Sequence, residues 1–466
     1  MSRSAFNPLS VLVLYGLASF CSPIREPASG FRIRLERREV NATDVFESSY
    51  ATREREATLV KYSNADQFLS GIGLHPDTHP ERSYPAFTPP NSSVTVRNAP
   101  LRGMEYTLDN PDANSTDPDL LHRASSLDGD KTERLALQDF VSGGLDVEYY
   151  GPLAFGTPAQ MLDVDIDTGS ADLWVPSRCS RCTNGEFQPS RAHLPRGSGR
   201  VSGMFAQDKV AVGSLSVPNQ AFCAARRVSD DFDEQPASGL LGLAFGSIAT
   251  AGQPTFFENL LTEKALADSV FSVHLARGEE TGPRCLCLGC YDTSKADAAV
   301  QWHPLVSRTY WSIAMDGIVV NKRGMSHNLT AVVDTGTSLI YVPDEIPGSA
   351  PAVEYGPGKP LTFVLLPGFF SFPCNASVSV ALKLDGHSYT IHPSDFNLGA
   401  VKNASTECVG GILALGDGFA PDMAIVGAEF LKSWYTVFDY AGRVGFAPSI
   451  NNLPAPAAVT HAGQEN

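Results

Sequence analysis

The chain has 466 residues, of which 43% are hydrophobic and 18% charged, enough apolar material for two large lobes behind a leader. Its 51 acidic and 35 basic residues leave a net charge of −16, which argues against nucleic acid or anionic membrane as a partner. With 40 Gly and 33 Pro, long helical bundles are excluded and a turn-rich β protein is favoured. In chain order, the first feature is the apolar run Leu9–Phe20 behind Arg3. It is too short to cross a bilayer and fits the core of a secretory signal peptide, expected over residues 1–22. Its removal takes Cys21 from the nine cysteines and leaves an even number, as expected in an oxidising compartment. Asn41, Asn91, Asn114, Asn328, Asn375 and Asn403 each open an Asn-x-Ser/Thr triplet, and Asn328, Asn375 and Asn403 are candidate glycosylation sites within the folded part. Secretion is therefore expected, with the vacuole as an alternative destination. The tail 450–466 is polar and carries no lipid-anchor signal.

Residues 23–144 are charged, Pro- and Ser-rich and poor in apolar periodicity; only Phe31–Leu35 alternates like a strand. From Leu145 onward, aromatic and β-branched runs recur between turn signals, as in an all-β chain. An internal duplication organises this region. Ile166-Asp167-Thr168-Gly169-Ser170 has its counterpart in Val333-Asp334-Thr335-Gly336-Thr337. Each copy leads to an apolar segment ending in Val-Pro (Val175-Pro176 and Val342-Pro343). Downstream, Leu240-Leu241-Gly242 is matched by Ile425-Val426-Gly427. The pattern predicts two homologous β lobes, 145–315 and 316–449, of typical domain size.

A single Asp-Thr-Gly is an ordinary turn. Two copies at equivalent positions in duplicated lobes would meet at the junction, where clefts form. Two carboxylates in contact cannot both ionise cheaply, so they share a proton and their pKa values separate. One then serves as general base toward a water and the other as general acid toward a carbonyl. Asp167 and Asp334 are the candidate pair. Gly169 and Gly336 allow close backbone approach. Ser170 and Thr337 offer hydroxyl donors to the outer oxygens, and Thr168 and Thr335 are placed to bond across the lobe interface. No His-Glu-x-x-His, Gly-x-Ser-x-Gly or phosphate-loop motif is present, so neither metal nor cofactor is expected. Cys-x-Cys-x-x-Cys at 285–290 has an unusual spacing for zinc, and disulfides or buried thiols are the simpler expectation.

These motifs, with Tyr149-Tyr150-Gly151, Gly156-Thr157-Pro158, Leu173-Trp174, Phe430-Leu431 and Val444-Gly445-Phe446-Ala447, make the chain resemble the secreted pepsin-like aspartic endopeptidases, particularly fungal ones, from about 146 to 449. The resemblance implies a bilobal all-β fold, hydrolysis of internal bonds in protein or peptide substrates at acid pH, pepstatin sensitivity and a monomer. It also implies that residues 23–144 act as a prosegment inhibiting the enzyme in cis, although they carry no basic excess and end in no dibasic site. Cys374 and Cys408 match the family's second-lobe disulfide, Cys179 and Cys182 are a further candidate pair, and Cys223, Cys285, Cys287 and Cys290 have no family match. Asp165, on the strand face of Asp167, and Leu240 would border the pocket for the residue before the cut bond, where Asp165 would accept a basic side chain.

Two departures stand out. The substrate-covering flap of the family matches Arg196-Gly197-Ser198-Gly199 and beyond, but Arg196 stands where a Tyr is expected and the segment before it is short, so the first flap strand is expected to be missing. In the second lobe, a helix expected near Pro343 is absent from the pattern and the apolar stretch 359–368 looks inserted. Displaced exon boundaries would explain both, a hypothesis that a transcript identical to this chain would sink. The rival functions are a catalytically silent member that binds peptides through the same cleft, and a structural secreted glycoprotein, which leaves the duplication unexplained.

Overall fold

The computed structural model describes residues 45–46, 51–58, 61–62, 96–97 and 105–106, most of 131–343, parts of 354–363 and most of 369–452. The signal-peptide segment, Phe31–Leu35, the sequons at Asn41, Asn91 and Asn114, and Ser198 and Gly199 lie outside the described residues.

The protein is built from strands in two lobes. The first lobe is an eight-stranded sheet in which Gln160–Asp167 and Leu173–Pro176 flank Gly239–Gly242. Gly239–Gly242 runs parallel to the former strand and antiparallel to the latter. The second lobe repeats the arrangement. Met423–Val426 runs parallel to Arg323–Val333 and antiparallel to Ile340–Val342. Leu173–Pro176 is parallel to Leu215–Arg227, and its counterpart Ile340–Val342 is parallel to Glu407–Ala414. The duplication read from Asp-Thr-Gly thus extends to the pairing sense of every strand around the two turns. Parallel pairs need both faces covered, and the segments around the two turns are apolar and buried: Val164, Ile166, Leu241, Val333, Ile340 and Ile425 are all shielded from solvent.

The lobes are stitched by a shared sheet. Val270–His274 and Cys285–Leu288, on the first-lobe side of the sequence division, pair into one sheet with Trp434–Asp439 and Arg443–Pro448. Glu133–Ala136 closes this sheet on Cys285–Leu288, and Gln138–Ser142 pairs with Leu145–Phe155 in the first lobe. Both strands lie before residue 145, in what the composition reads as the polar stretch. The local reason is a short alternation, Leu135 and Leu137, whose side chains enter the core. Strand Ser312–Val320 likewise runs unbroken across the division at residue 315.

The flap is a hairpin with a stub. Ser202–Val212 pairs along its length with Leu215–Arg227, while on its other side Arg196–Gly197 covers only Met204 and Gly203. Among the described residues, Arg196–Gly197 is all there is of the first flap strand, and the residues on either side of it lie outside the described part. The apolar stretch 359–368 contributes Lys359–Pro360, paired with Glu354–Gly356, and Thr362–Phe363, which extends the second-lobe sheet beside Phe369–Pro373. The described residues hold three disulfides: Cys179–Cys182, Cys287–Cys290 and Cys374–Cys408. Cys223 and Cys285 are not disulfide-bonded. No described helix is long and apolar enough to cross a membrane, and no group of three His, Cys, Asp or Glu among the described residues is arranged to hold a metal.

Candidate active site

Each Asp-Thr-Gly turn follows the C-terminal end of a buried strand, so each aspartate leaves the sheet at the lobe junction. The hydrogen bonding of the two turns is nearly two-fold symmetric. Gly169 N donates to Asp167 Oδ1 at 2.8 Å and Gly336 N to Asp334 Oδ1 at 3.0 Å. The outer oxygens accept from hydroxyls, Ser170 Oγ at 2.5 Å on Asp167 and Thr337 Oγ1 at 2.6 Å on Asp334. The threonines cross the interface. Thr168 Oγ1 donates to Val333 O at 2.9 Å and accepts from Thr335 N at 2.9 Å. Thr335 Oγ1 donates to Ile166 O at 2.6 Å and accepts from Thr168 N at 3.0 Å. Four buried bonds thereby fix the distance between the two aspartates.

That distance is short, and the glycines are what permit it. A Cβ on Gly169 would stand 2.5 Å from the Asp334 carboxylate, and one on Gly336 2.4 Å from Asp167 Oδ1. Each carboxylate lies against the backbone of the opposite turn, a space no L side chain could share. Both aspartates are buried, at 2% and 0% exposure.

What covers them comes from the polar N-terminal stretch. Residues 51–58 form a helix, and a few residues on, Lys61 Nζ donates to Asp167 Oδ1 at 2.6 Å and to Asp334 Oδ1 and Oδ2 at 3.0 and 2.8 Å. Tyr62 Oη donates to Asp334 Oδ2 at 3.0 Å, and its ring packs 4.9 Å from that of Tyr310. Glu54, on the helix, accepts from Ser338 N and, at 3.3 Å, from Tyr341 Oη, both just beyond the second turn. Sequence reasoning missed Lys61, Tyr62 and Glu54. The signal was slight: a Lys-Tyr pair after two aliphatic residues, in a segment whose composition otherwise reads as loop.

The electrostatics follow from the contacts. Burial raises the pKa of Asp167, opposed by Lys61 and reinforced by the Asp334 charge. Burial also acts to raise Asp334, but the Lys61 charge and the hydrogen bonds from Lys61 and Thr337 outweigh it and hold that carboxyl below its ordinary value. For Lys61 burial acts downward, yet the two aspartates raise it well above the usual ammonium range. Burial pushes Glu54 up to about 7.

The other sequence-predicted residues fall around this centre. Leu240 pairs in register with both Asp165 and Trp174, which places all three on the sheet face of Asp167. Arg196 and Gly197 sit in the flap stub. The disulfide Cys374–Cys408 joins Phe369–Pro373 to Glu407–Ala414 away from the dyad. Asn328, Asn375 and Asn403 are all exposed.

Duplicated β lobes that bring two turn-borne carboxylates into contact define the class of the pepsin-like proteases. The chain belongs to the eukaryotic aspartyl protease family, whose model matches residues 148–449. It is an aspartic-type endopeptidase by that membership. Among its relatives, it is 33% identical over 331 residues to an aspartic protease of Phaffia rhodozyma, covering 66% of this chain and 78% of the relative. It is 32% identical over 324 residues to pepsin A of Gallus gallus, covering 65% and 85%, and 30% identical over 354 residues to cathepsin D of Dictyostelium discoideum, covering 71% and 89%.

Proposed function

We propose that this chain is the latent precursor of a secreted, acid-acting endopeptidase in which Asp167 and Asp334 activate water for attack on an internal peptide bond. The observation that carries the reading is the single ammonium of Lys61 held by both carboxylates, 2.6 Å from one and 2.8 Å from the other. A cation fits where two negative charges converge, and it occupies the place at which a scissile carbonyl and its attacking water would have to sit. With Lys61 withdrawn, the paired acids share one proton, as is established for aspartic proteases generally. The ionised member takes a proton from water and the protonated member gives its own to the carbonyl oxygen. The threonine cross-bonds hold the pair through both transfers, and the Ser170 and Thr337 hydroxyls favour ionisation of the outer oxygens. The three exposed sequons and the N-terminal apolar run support export, and no step calls for a metal or cofactor.

The test is incubation of the full chain at about pH 4 with a denatured protein, with and without pepstatin. Pepstatin-sensitive cleavage that Asp167→Asn removes supports the reading; cleavage that survives Asp167→Asn sinks it. One observation favours a second reading, a silent peptide-binding member. Arg196 stands at the flap position where a Tyr is expected to cover a bound substrate and exclude water from it. Tight pepstatin binding without turnover would select that alternative.

A further inference from the structure

The two catalytic turns are supported alike at first and differently beyond. Ala244 N donates to Ser170 O at 2.8 Å in the first lobe, and Ala428 N to Thr337 O at 2.8 Å in the second. The first-lobe segment then runs on to Gly246, whose amide donates to Glu258 Oε1 of the same lobe at 2.8 Å. The second-lobe segment instead becomes the short helix Ala428–Leu431, which ends at Lys432, and the Lys432 ammonium reaches across to the first lobe. It donates to Asp146 Oδ2, at the start of the strand Leu145–Phe155. It also lies 3.0 Å from Glu429 Oε2 and 3.9 Å from Asp395 Oδ1. Asp139, held by Arg284 at 2.7 Å, and the buried Tyr149 complete the charged and titratable surroundings of Asp146.

Lys432 is 1% exposed, and a buried ammonium stays charged only where acids answer it. As a source of stability such a pair is poor, because apolar residues of similar volume often hold a fold as well. What it offers is direction: one geometry satisfies the ammonium, and the backbone that carries it must conform. That backbone is a helix of four residues, too short to keep its place by its own hydrogen bonds. It is also the backbone against which the second turn rests. Glu429 N donates to Ser338 O at 2.9 Å, and Asp334 N to Val426 O at 3.0 Å. A Cβ on Gly427 would collide with Thr337 O and Leu339 O, so helix and turn meet without slack. Thr337 in turn gives its hydroxyl to Asp334 Oδ2 at 2.6 Å. On the first-lobe side, Tyr150, four residues on from Asp146, is in register with Asp165, two residues before Asp167.

We infer that Lys432, paired with Asp146, is a positioning residue for the dyad: the pair holds the helix Ala428–Leu431 against the second turn and so sets where Thr337 presents its hydroxyl to Asp334. This rests on the proteolytic reading above and adds to it a residue remote from substrate and water. The threonine cross-bonds fix how far apart the two turns stand; the ion pair fixes the aim of one acid within its turn. If the helix loosens, Thr337 loses the Ala428 amide and its hydroxyl drifts from Asp334. The ionised form of Asp334 then lacks a donor, and the dyad gives up its first proton at a higher pH.

The test combines amide hydrogen exchange on the full chain with kinetics after incubation at about pH 4. Asp146→Asn keeps the shape and removes the charge. The amides of Ala428 and Glu429 should exchange about tenfold faster while that of Ala244 is unchanged. The kcat should fall about tenfold with little change in KM, and the acid limb of the pH–rate profile should move up by about half a unit. Lys432→Arg, which keeps a cation for Asp146, should leave all of these near their unsubstituted values. In a Thr337→Ala background Asp146→Asn should move the limb no further, because the hydroxyl it acts through is gone. Asp146→Glu, with the charge on a longer stem, serves where the amide variant does not fold and should speed the same two amides. If exchange rises alike at Ala244 and Ala428, or if kcat and the acid limb of a folded Asp146 variant stay in place, the pair is a structural contact and the inference fails. A chain that hydrolyses nothing refutes the proteolytic reading instead, and the contrast between Ala428 and Ala244 then decides the role of the pair by itself.

Discussion

Replacing Lys61 by Met removes one charge and keeps the packed stem, which isolates the ion pair as the source of the proposed latency. The ammonium touches three carboxylate oxygens at 2.6–3.0 Å, with Lys61 itself 18% exposed and its partners 3% and 0%. Breaking one side of such a buried pair costs about 3–5 kcal/mol when the remaining charge has no other outlet. Here there is an outlet, because the freed dyad takes up a proton, so the lower end of that range, about 3 kcal/mol, is appropriate. Docking of residues 51–62 over the cleft should then weaken by about 150-fold. The difference is largest at near-neutral pH, where both aspartates would otherwise be ionised. Asp334, held low by Lys61, contributes docking stability above the ordinary carboxylate range, and that contribution is lost as pH falls through its depressed value. The assay is binding of fluorescent pepstatin to the unprocessed chain at about pH 6. Lys61→Met should bind readily where the natural chain scarcely binds. If the variant remains as closed as the natural chain, the cation is not what keeps the cleft shut.

Glu54 has the opposite sign. Its carboxyl is raised to about 7 when docked against Ser338 and Tyr341, so its contribution to docking is complete below the free value of 4.5 and is lost as pH rises through 7. Since the residue is half-buried, we expect about 1–2 kcal/mol after screening, and Glu54→Gln should abolish the change in docking between these limits, read as the pH dependence of pepstatin on-rate. Thr168→Val removes a donor to Val333 O and an acceptor for Thr335 N across the lobe interface. It should lower stability by about 2–3 kcal/mol in urea unfolding and depress kcat more than KM, and an unchanged midpoint would count against the cross-bonds as a clamp. Replacing Cys374 and Cys408 by Ser opens a loop with separation 34 and should cost about 3–4 kcal/mol, seen as a lower Tm with the pepstatin affinity of the folded protein preserved.

The legible part of this molecule was the part that is duplicated. Repetition of Asp-Thr-Gly with its downstream glycine reports a tertiary contact, because two copies of one turn are informative in a way that neither is alone. The all-β lobes and the location of Asp167 and Asp334 followed from it. What composition hid has a common physical cause. Lys61, Tyr62 and Glu54 act through partners more than a hundred residues away, and nothing local marks a lysine whose counter-ions lie at positions 167 and 334. Leu135 and Leu137 were hidden in a different way, in and just after a strand of four residues too short to register against a polar background.

Asp167 and Asp334 sit in nearly identical loops, yet their pKa values move in opposite directions, and the loops cannot be the reason. Each receives one backbone amide and one hydroxyl from its own turn. The asymmetry comes from the covering segment together with the pair's own coupling, in which the Asp334 charge raises Asp167 and a bond with Asp167 steadies ionised Asp334. Asp334 takes two contacts from Lys61 and the hydroxyl of Tyr62, whereas Asp167 takes one contact from Lys61. The extra donors stabilise the ionised form of Asp334 and leave the proton, when one is bound, on Asp167. On the proposed reading, departure of residues 61–62 takes away every unequal donor at once and returns the pair to near symmetry. The same event that opens the cleft therefore also frees the shared proton to serve either oxygen, so that the two limbs of the processed enzyme's pH–rate profile should report constants of the pair rather than of either residue. A single variant that moved one limb and left the other fixed, Ser170→Ala for example, would show that the asymmetry resides in the turns after all.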